Sequence, residues 1–384
     1  MVAHTIKVYS RYTIDYPYPV AQSIHTHRIG MEYPMICFNG GRPEKDGTYS
    51  ERTKYGMISV IIHEVGHNFF PMIINSDERQ WTWMDEGLNT FVQYLTEEEW
   101  QPDYPSRRGP AYKIVDYMKG DKSRISPIMT NSESIYQFGN NAYGKPATAL
   151  NILRETVMGR ELFDYSFKTY CERWKFKHPT PADFFRTMED ASSVDLDWFW
   201  RGWFYTNDHV DQALAEVKWY QLDGGDPKEK KNFAENQKKN APEFIGDKRN
   251  KTLQTYQDRD ESLRDFYTSY NASDVDQFDK DKYEKYLSGL SEQERKWLDD
   301  EYHYYELTIA SPGGLVMPVI LEFTLEDGTK EVRRIPAEIW LKNHTEVKKV
   351  FHFEQKVAAI SLDPFLEIAD VDRNNNYWPK RVEP

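Results

Sequence analysis

The hydrophobic residues in the first half of the chain recur mostly at helical spacing. Met57 to Ile62 is a largely apolar run, and the apolar positions between 145 and 157 follow the period of a helix that buries one face. Thr180, Pro181 and Asp183 give one further helix a strong start signal. The pattern predicts helices over 4–14, 50–70, 83–97, 145–157, 161–176, 181–190 and 195–204.

The segment from Ser23 to Phe38 is typical of extended chain, and Met31 to Phe38 is expected to form an edge strand. An edge strand has free backbone groups and can pair with an extended peptide. His25 and His27 are two apart and would share one face of a strand. A second metal site there is disfavoured, because no carboxylate or third histidine stands nearby in the sequence.

From Glu306 onward the hydrophobic period shifts to two, which is typical of strands. Leu315 to Leu325 and Thr329 to Ile335 flank the turn pair Asp327-Gly328, so a β-hairpin is predicted. Together these strands predict a small C-terminal β-sandwich. Further strands fit 349–355 and 357–362.

Between these two parts the composition changes. Residues 222–260 are highly charged and punctuated by glycine and proline, so they are interpreted as a partly mobile linker. Helical signals return from Asp260 to Tyr302, and the aromatic residues there predict that these helices pack back on the first domain. The predicted fold class is α+β, with domains at 1–218, 219–303 and 304–384.

The charge balance narrows the classes of function. The net charge is −13, and nucleic-acid binding needs a basic face, so no nucleic-acid partner is expected. No apolar stretch reaches the length needed to span a membrane. Cys37 and Cys171 are too few for a disulfide framework. The aromatic helix at 195–204 is interpreted as core or cleft wall, and no organic cofactor is expected.

Four residues in the middle of the helical region have the spacing of a zinc site. His63 and His67 are four apart, so on a helix their rings leave the same face. Eighteen residues separate His67 from Glu86, enough for a reversal and a second helix that returns a carboxylate as third ligand. One tetrahedral position then stays open to water, as in catalytic sites. Glu64 can act beside the metal as a general base.

The surrounding residues supply start and stop signals for these two helices. Thr48 and Glu51 are interpreted as a capping box for the first helix, and Pro71 is expected to end it. Thr82 and Asp85 give a similar start signal before the second helix. We therefore expect His63 and His67 to lie on a helix that enters the core.

The motif and its context resemble the gluzincin aminopeptidases of peptidase family M1, which include aminopeptidase N and leukotriene hydrolase. The third ligand lies in a Trp-x-x-Glu-Gly context at Trp83–Gly87. Gly30–Glu32 resembles the family's Gly-x-Met-Glu-Asn exopeptidase signature without the spacer residue. Tyr143–Lys145 resembles its Tyr-x-Lys-Gly motif, with Pro146 in place of the glycine. The resemblance covers residues 8 to about 212 well.

The resemblance implies a thermolysin-like zincin catalytic domain that binds one Zn²⁺ and removes N-terminal residues from peptides. Glu32 would hold the free α-ammonium of the substrate, with Gly30 and Met31 beside it. Tyr143 would donate a hydrogen bond to the oxyanion that forms during hydrolysis. The expected partners are therefore peptides with a free N-terminus.

Other functions stay open from the residues alone. One is a non-catalytic module that keeps zinc for structure and binds peptides; Glu64 and Tyr143 argue against it, because a structural site needs neither. Another is a gluzincin endopeptidase or a hydrolase of a different substrate. The sequence specifies neither the preferred N-terminal residue nor the oligomeric state.

Family members carry a β-rich domain before the catalytic domain, whereas the resemblance here begins within the first ten residues. We therefore expect this chain to be a piece of a longer protein, and the missing region to help complete the substrate pocket. A soluble protein is expected. Its compartment is open, because an upstream signal peptide would direct it to secretion or to a periplasm.

A last motif resembles a calcium-binding loop. Asp370–Asn376 has acidic and amide residues at alternate positions, as in an EF-hand. The sixth position is Asn375 instead of glycine, and the twelfth is Arg381 instead of glutamate, so the bend and the bidentate ligand are absent. A turn made of side-chain-to-backbone hydrogen bonds is predicted instead.

Overall fold

The computed structural model of the protein describes residues 1–27, 29–299 and 302–380. Every helix predicted from the pattern is present, with its ends displaced by about a turn or less. The α-helices are α1 (Val2–Tyr12), α2 (Glu51–Gly66), α3 (Leu88–Glu98), α4 (Val115–Met118), α5 (Lys145–Ile152), α6 (Arg160–Trp174), α7 (Pro181–Ser192), α8 (Asp197–Tyr205), α9 (Pro227–Asn240), α10 (Ile245–Asn250), α11 (Tyr256–Arg259), α12 (Gln277–Ser288) and α13 (Glu292–Asp299).

The helical regions also contain tighter and wider turns. The π-helical turns are Trp83–Gly87, Gly139–Gly144 and Leu153–Val157, and each adjoins an α-helix. The predicted helices at 83–97 and 145–157 are therefore each part π and part α. Short 3₁₀ helices lie at Ala111–Ile114, Lys122–Arg124, Ser132–Ser134, Glu261–Leu263, Phe266–Ser269, Ala337–Trp340 and Arg373–Asn375.

A small N-terminal sheet has the strand order β1-β3-β2, from β1 (Gln22–His25), β2 (Gly30–Tyr33) and β3 (Ile36–Asn39). β1 runs parallel to β3, and β2 runs antiparallel to it. The prediction of one edge strand over 31–38 is wrong, because a turn at Met35, with φ +66°, folds that segment into two strands. Of these two strands only β2 lies at an edge of the sheet, because β3 is the central strand between β1 and β2.

The remaining strands form two sheets. The first has the order β10-β9-β6-β7, and the second has the order β4-β5-β8. The predicted hairpin at 315–335 is confirmed as β6 and β7, with Gly328 at φ +87° in its turn. Packing of these sheets as a sandwich stays a prediction. The strands are β4 (Ala213–Tyr220), β5 (His303–Ala310), β6 (Val319–Leu325), β7 (Lys330–Ile335), β8 (Glu346–Phe353), β9 (Val357–Leu362) and β10 (Tyr377–Trp378).

The segment predicted as a linker, 222–260, contains the helices α9, α10 and α11. Asp226 caps α9 by accepting a hydrogen bond from the Lys228 amide at 2.7 Å, and Pro227 occupies the first turn. Lys239 and Glu235 add an ion pair one helical turn apart. These local signals outweigh the high charge and the glycine and proline content, which had suggested a partly mobile linker.

The chain divides into two compact units: residues 1–217, 307–349 and 357–384 form one, and 218–306 with 350–356 form the other. Most of the predicted C-terminal domain thus groups with the first part of the chain. The predicted three-domain organisation, and the packing of the helices at 260–302 on the first domain, stay predictions. None of the described helices has the length and apolar character that crossing a membrane requires.

The core of the first unit is rich in aromatic side chains. α8 contributes Phe199 and Trp203, which are fully buried, so the interpretation of this helix as core is confirmed. The Trp203 indole N–H donates to the sulfur of Met317 at 3.4 Å. Other fully buried rings belong to Tyr9, Phe69, Phe70, Trp83, Phe91, Phe163, Phe167, Tyr170 and Phe184.

α1, α2 and α3 meet where α2 ends. The Tyr9 hydroxyl donates to Asn89 Oδ1 at 2.7 Å, and Asn89 Nδ2 donates to the His63 carbonyl at 2.9 Å. Gly66 makes this approach possible, since a Cβ there would lie 2.2 Å from Asn89 Oδ1 and 2.3 Å from the Tyr9 hydroxyl oxygen. A side chain at position 66 would therefore push the helices apart.

We predict that Gly66→Ala lowers the free energy of unfolding by about 1–3 kcal/mol, the usual cost of overpacking a close-packed core. Gly56→Ala is the matched control, since it lies on the same helix with open space around its Cβ position. That change should stabilise the protein by up to about 1 kcal/mol through helix propensity. Denaturant unfolding of both variants checks the prediction, and equal effects would contradict it.

Candidate metal and active site

His63 lies on the last turn of α2, and His67 is the C-cap residue directly after it. The His63 and His67 Nε2 atoms lie 3.1 Å apart, so both rings point to the same place. The helix ends at Gly66 rather than near residue 70, and its N-cap is Ser50, whose hydroxyl accepts from the Thr53 amide at 3.1 Å. The predicted cap by Thr48 is wrong, because its amide and hydroxyl both donate to Asp46.

Glu86 comes from the π-helical turn Trp83–Gly87, immediately before α3. Its Oε2 lies 3.1 Å from His63 Nε2 and 3.4 Å from His67 Nε2. The predicted start signal at Thr82 is wrong, because that hydroxyl donates back to the Glu78 carbonyl and caps nothing. The wider π turn, and not a fresh helix start, positions this carboxylate. Single π turns of this kind are often found at functional sites.

The two imidazoles and the carboxylate form a nearly equilateral triangle of metal-binding atoms. In a tetrahedral zinc site with bonds of about 2.0–2.1 Å, ligand atoms lie about 3.3 Å apart. The observed separations of 3.1, 3.1 and 3.4 Å match that geometry. His63, His67 and Glu86 are thus the residues that could hold a divalent cation.

The outer nitrogens of both rings are already engaged. His63 Nδ1 lies 2.9 Å from Gln93 Oε1, whose amide nitrogen donates to Glu97, so this Nδ1 carries the hydrogen. His67 Nδ1 likewise lies 2.9 Å from the Phe70 carbonyl. In the neutral rings both Nε2 lone pairs then face each other and the Glu86 carboxylate. Such carbonyl or amide partners typically orient metal-binding histidines.

Burial and neighbouring charges shift the pKa values of Glu86 and His67. For the Glu86 carboxyl, burial acts to raise the pKa, but hydrogen bonds with His63 and His67 lower it below its usual value. For His67, burial acts to lower the pKa, but Asp85 and Glu86 raise it well above its ordinary value. The site therefore attracts positive charge, and metal binding would displace a proton from it.

Glu64 lies beside the triangle and is almost fully buried. Its carboxyl is close enough to Glu32 and His67 for an oxygen or nitrogen of each to lie within 4.8 Å of the others. Burial raises the Glu64 pKa to about 8, opposed by the charge of His67. A Cβ at Gly30 would lie 2.5 Å from Glu64 Oε1, so only glycine lets β2 pass this close.

Glu32 lies on β2, at the edge of the N-terminal sheet, opposite Cys37 of β3. The structure brings its carboxylate to the Glu64 side of the triangle, beside a strand edge with free backbone groups. Met31 is its half-buried neighbour on the same strand. A strand edge of this kind can align an extended peptide.

Tyr143 lies in the π-helical turn Gly139–Gly144, just before α5. Its hydroxyl donates to Glu86 Oε1 at 2.6 Å, leaving Oε2 directed at the histidines. Its ring stacks on the His63 ring at 5.8 Å. Burial, together with the charge of Glu86, raises the pKa of Tyr143, so the phenol stays protonated and can donate.

A cavity of about 570 Å³ opens from this cluster. Its volume is within the range of small-molecule sites, about 300–1,000 Å³. Described residues on its wall include His63, Glu64 and Tyr143. His63 of the metal-binding triangle, Glu64 and Tyr143 therefore border one space large enough for part of a peptide.

Sequence reasoning missed several members of the site. Asp85, read only as a helix start signal, lies 3.0 Å from His67 Nδ1 and is buried. Gln93 is seven residues after Glu86, which is about two helical turns. That spacing could have placed Gln93 on the same helix face as Glu86. Asn89, which donates to the His63 carbonyl, and Arg108, which lies over the Tyr143 ring on the cavity wall, belong to no motif. Only the contact of distant segments reveals them.

Neither of the two weaker motifs is among the groups of potential metal ligands in the described part of the chain. His25 and His27 are exposed, and the groups of potential ligands found among the described residues do not include them. In the Asp370 loop, Asp370 accepts from the Gln212 and Asp372 amides, and Asp372 accepts from the Asn374 amide. The predicted side-chain-to-backbone turn is confirmed, while Arg381 lies outside the described residues.

Comparison with known proteins shows similarity in sequence. Glutamyl aminopeptidase of Bos taurus is 28% identical over 149 residues, which are 37% of this chain and 16% of the bovine protein. "Probable aminopeptidase 1" of Sulfurisphaera tokodaii is 24% identical over 174 residues, 44% of this chain and 22% of that protein. The chain thus matches only a minor part of the length of these relatives.

The fold is also similar to a solved structure, Legionella pneumophila aminopeptidase A in complex with aspartic acid. The TM-score is 0.56 at 11% identity, over 96% of this chain and 34% of the other. The sequence profile of the peptidase family M1 domain matches residues 2–203. Since this match covers more than half of the 384 residues, the chain belongs to peptidase family M1.

Proposed function

We propose that the protein is a zinc-dependent aminopeptidase, which removes N-terminal residues from peptides, with one Zn²⁺ held by His63, His67 and Glu86. The observation that carries the proposal is the triangle of three metal-binding atoms with the buried Glu64 carboxyl beside it. Two imidazoles and one carboxylate are a donor set that suits catalytic zinc. The aminopeptidase names of the relatives support the same reaction.

When bound, Zn²⁺ would polarise the scissile carbonyl and lower the pKa of water. Glu64 is the proton carrier. Its raised proton affinity suits it to accept the proton of the attacking water and pass that proton to the leaving amine. Because its carboxyl is buried, few competing water molecules interrupt that transfer.

Tyr143 stabilises the negative charge that develops on the carbonyl oxygen. Its phenol lies one hydrogen bond from Glu86 and faces the same cavity as Glu64. A rotation of the side chain would redirect the hydroxyl from Glu86 to the substrate. A positioned donor of this kind contributes about 3–4 kcal/mol to oxyanion stabilisation.

Glu32 determines the position of the cut. A carboxylate on the edge strand, close to Glu64 and His67, can pair with the α-ammonium of a peptide while the strand edge aligns its backbone. The first peptide bond is then the one beside the metal. An endopeptidase would need that space open to a preceding residue, which the Glu32 carboxylate disfavours.

We predict that Glu64→Gln retains zinc but lowers kcat/KM by about 10²- to 10⁴-fold, because the metal ligands stay while the base is lost. Metal analysis of the purified protein and hydrolysis of a panel of aminoacyl fluorogenic amides, with chelator and zinc re-addition, measure both effects. Glu161→Gln, at an exposed position on α6, is the control. Unchanged turnover would refute the role of Glu64.

We predict that Glu32→Ala lowers kcat/KM on peptides with a free amine by about 10- to 100-fold, because a charge-assisted hydrogen bond is lost. N-acetylated versions of the same peptides should change by less than about 3-fold. Glu44→Ala removes an exposed carboxylate near α2 and serves as the control. Equal losses on both peptide classes would exclude ammonium binding by Glu32.

We predict that Gln93→Leu weakens zinc binding by about 10- to 100-fold, since it removes the acceptor that orients His63. Competition with a chromogenic zinc chelator measures the affinity. Gln237→Leu, at an exposed position on α9, is the control. An affinity equal to that of the control would show that Gln93 does not orient the ligand.

A further inference from the structure

Arg108 places a guanidinium group on the cavity wall beside Tyr143. Its Cζ lies 4.5 Å from the centre of the Tyr143 ring. The side chain is half-buried, and in the part of the chain that the structure describes no carboxylate lies within ion-pair distance of it. A partly buried cation without an anion is unfavourable, and a bound anion would offset that cost.

The nearby acidic residue Glu97 is not free to serve as the counter-ion. It lines the same cavity, but its Oε1 accepts from Gln93 Nε2 at 2.8 Å and its Oε2 accepts from the Ser106 hydroxyl at 2.6 Å. Burial also raises the pKa of Glu97. The positive charge of Arg108 therefore stays available to a ligand.

Two further guanidinium groups, of Arg52 and Arg107, line the outer part of the cavity, where both residues are exposed. Glu51 is the exposed acidic residue among the described lining residues there. The cavity wall thus carries three arginines, of which Arg108 lies beside Tyr143. A carboxylate is the anion that a planar guanidinium binds in a bidentate manner.

The lining of the cavity fits the leaving part of a peptide better than its N-terminal end. Its described lining includes His63, Glu64 and Tyr143 but not Glu32. With the substrate ammonium at Glu32, the residues after the scissile bond enter this cavity. The Arg108 Cζ lies 4.5 Å from the centre of the Tyr143 ring, and that centre lies 5.8 Å from the centre of the His63 ring. Two extended residues span about 7 Å, so a carboxylate one or two residues beyond the scissile bond is on the scale of that separation.

We propose that Arg108 is a specificity-determining residue that binds a carboxylate of the substrate one or two residues after the scissile bond, so that short peptides with a free C-terminus or an acidic side chain there are preferred. This proposal rests on the proposed aminopeptidase function. Arg107 and Arg52 add attraction at the cavity mouth. The carboxylate and the ammonium of the substrate would then be held at opposite ends of the site.

Arg108 could instead only support the Tyr143 ring through its cation–π contact. These two roles differ in what they do to different substrates. Support of Tyr143 affects every substrate equally, because each reaction uses the same phenol. Carboxylate binding affects only those peptides that carry the carboxylate.

The test uses the zinc-loaded protein and matched tripeptides that share one N-terminal residue, X. X is the residue that the protein prefers in the fluorogenic panel, or Leu where the panel shows no preference. The peptides are X-Gly-Gly, its C-terminal amide, and X-Gly-Asp amide, which separates an α-carboxylate from a side-chain carboxylate. The variants are Arg108→Met, Arg108→Lys and the control Arg124→Met, an exposed arginine that does not line the cavity.

Arg108→Met should lower kcat/KM for X-Gly-Gly, X-Gly-Asp amide or both by about 10- to 100-fold and change X-Gly-Gly amide by less than about 3-fold. The peptide with the larger loss identifies which carboxylate is bound. Arg108→Lys should fall between, because the charge stays but the planar fork is lost. Equal losses on the acidic peptides and the amide would overturn the proposal in favour of support for Tyr143.

A binding measurement separates this proposal from the proposed function. Calorimetric titration of X-Gly-Gly and its amide into zinc-loaded Glu64→Gln, with and without Arg108→Met, needs no turnover. If Arg108→Met lowers the affinity for X-Gly-Gly but not for its amide, the Arg108 proposal is supported. That holds even if the unsubstituted protein hydrolyses nothing, and then only the proposed function fails. Hydrolysis with no carboxylate-dependent loss in either assay overturns the Arg108 proposal alone.

Discussion

The site depends on three lone-pair donors held within hydrogen-bond distance of each other in a buried space. Two imidazoles at the end of α2 and one carboxylate from the π turn Trp83–Gly87 converge at 3.1–3.4 Å. The Nδ1 hydrogens of both rings are already donated to other acceptors. In a low-dielectric interior such an arrangement is unfavourable without positive charge. Burial opposes charge at both groups, yet Asp85 and Glu86 raise the pKa of His67, and hydrogen bonds with His63 and His67 lower the pKa of Glu86.

Irregular backbone brings these donors together. Glu86 and Tyr143 both lie in π-helical turns, whose wider winding redirects side chains that a regular helix would direct elsewhere. Gly66 lets α2 approach Tyr9 and Asn89, and Gly30 lets β2 approach Glu64. The side chains of the proposed site are thus positioned by π-helical turns and by glycines that permit close approach.

Hydrogen bonds and ring contacts connect the proposed metal-binding site to its cavity. Gln93 links His63 to Glu97, and Tyr143 links Glu86 to the ring contact with Arg108. Each partner is partly buried, so a change at one position alters the electrostatics of the next more strongly than it would in water. In the proposed enzyme, metal affinity, proton transfer and the binding of substrate charge would therefore be linked through a few side chains.

Local sequence patterns were enough to predict the helices and to select the candidate metal-binding side chains. The four-residue spacing of His63 and His67 places them on one helix face in any α-helix, and the return of Glu86 follows from the distance to it along the chain. The hairpin around Asp327-Gly328 and the capping of α7 by Thr180 were likewise local, since turn and cap chemistry involve neighbouring residues.

Tertiary structure alone decided the rest. The turn at Met35 that splits one predicted strand, and the π turns that replace α-helical starts, depend on contacts between segments far apart in the chain. Asn89 and Arg108 belong to no motif. Their roles come from what packs against them, because burial and the absence of a partner are properties of the folded chain and not of neighbouring residues.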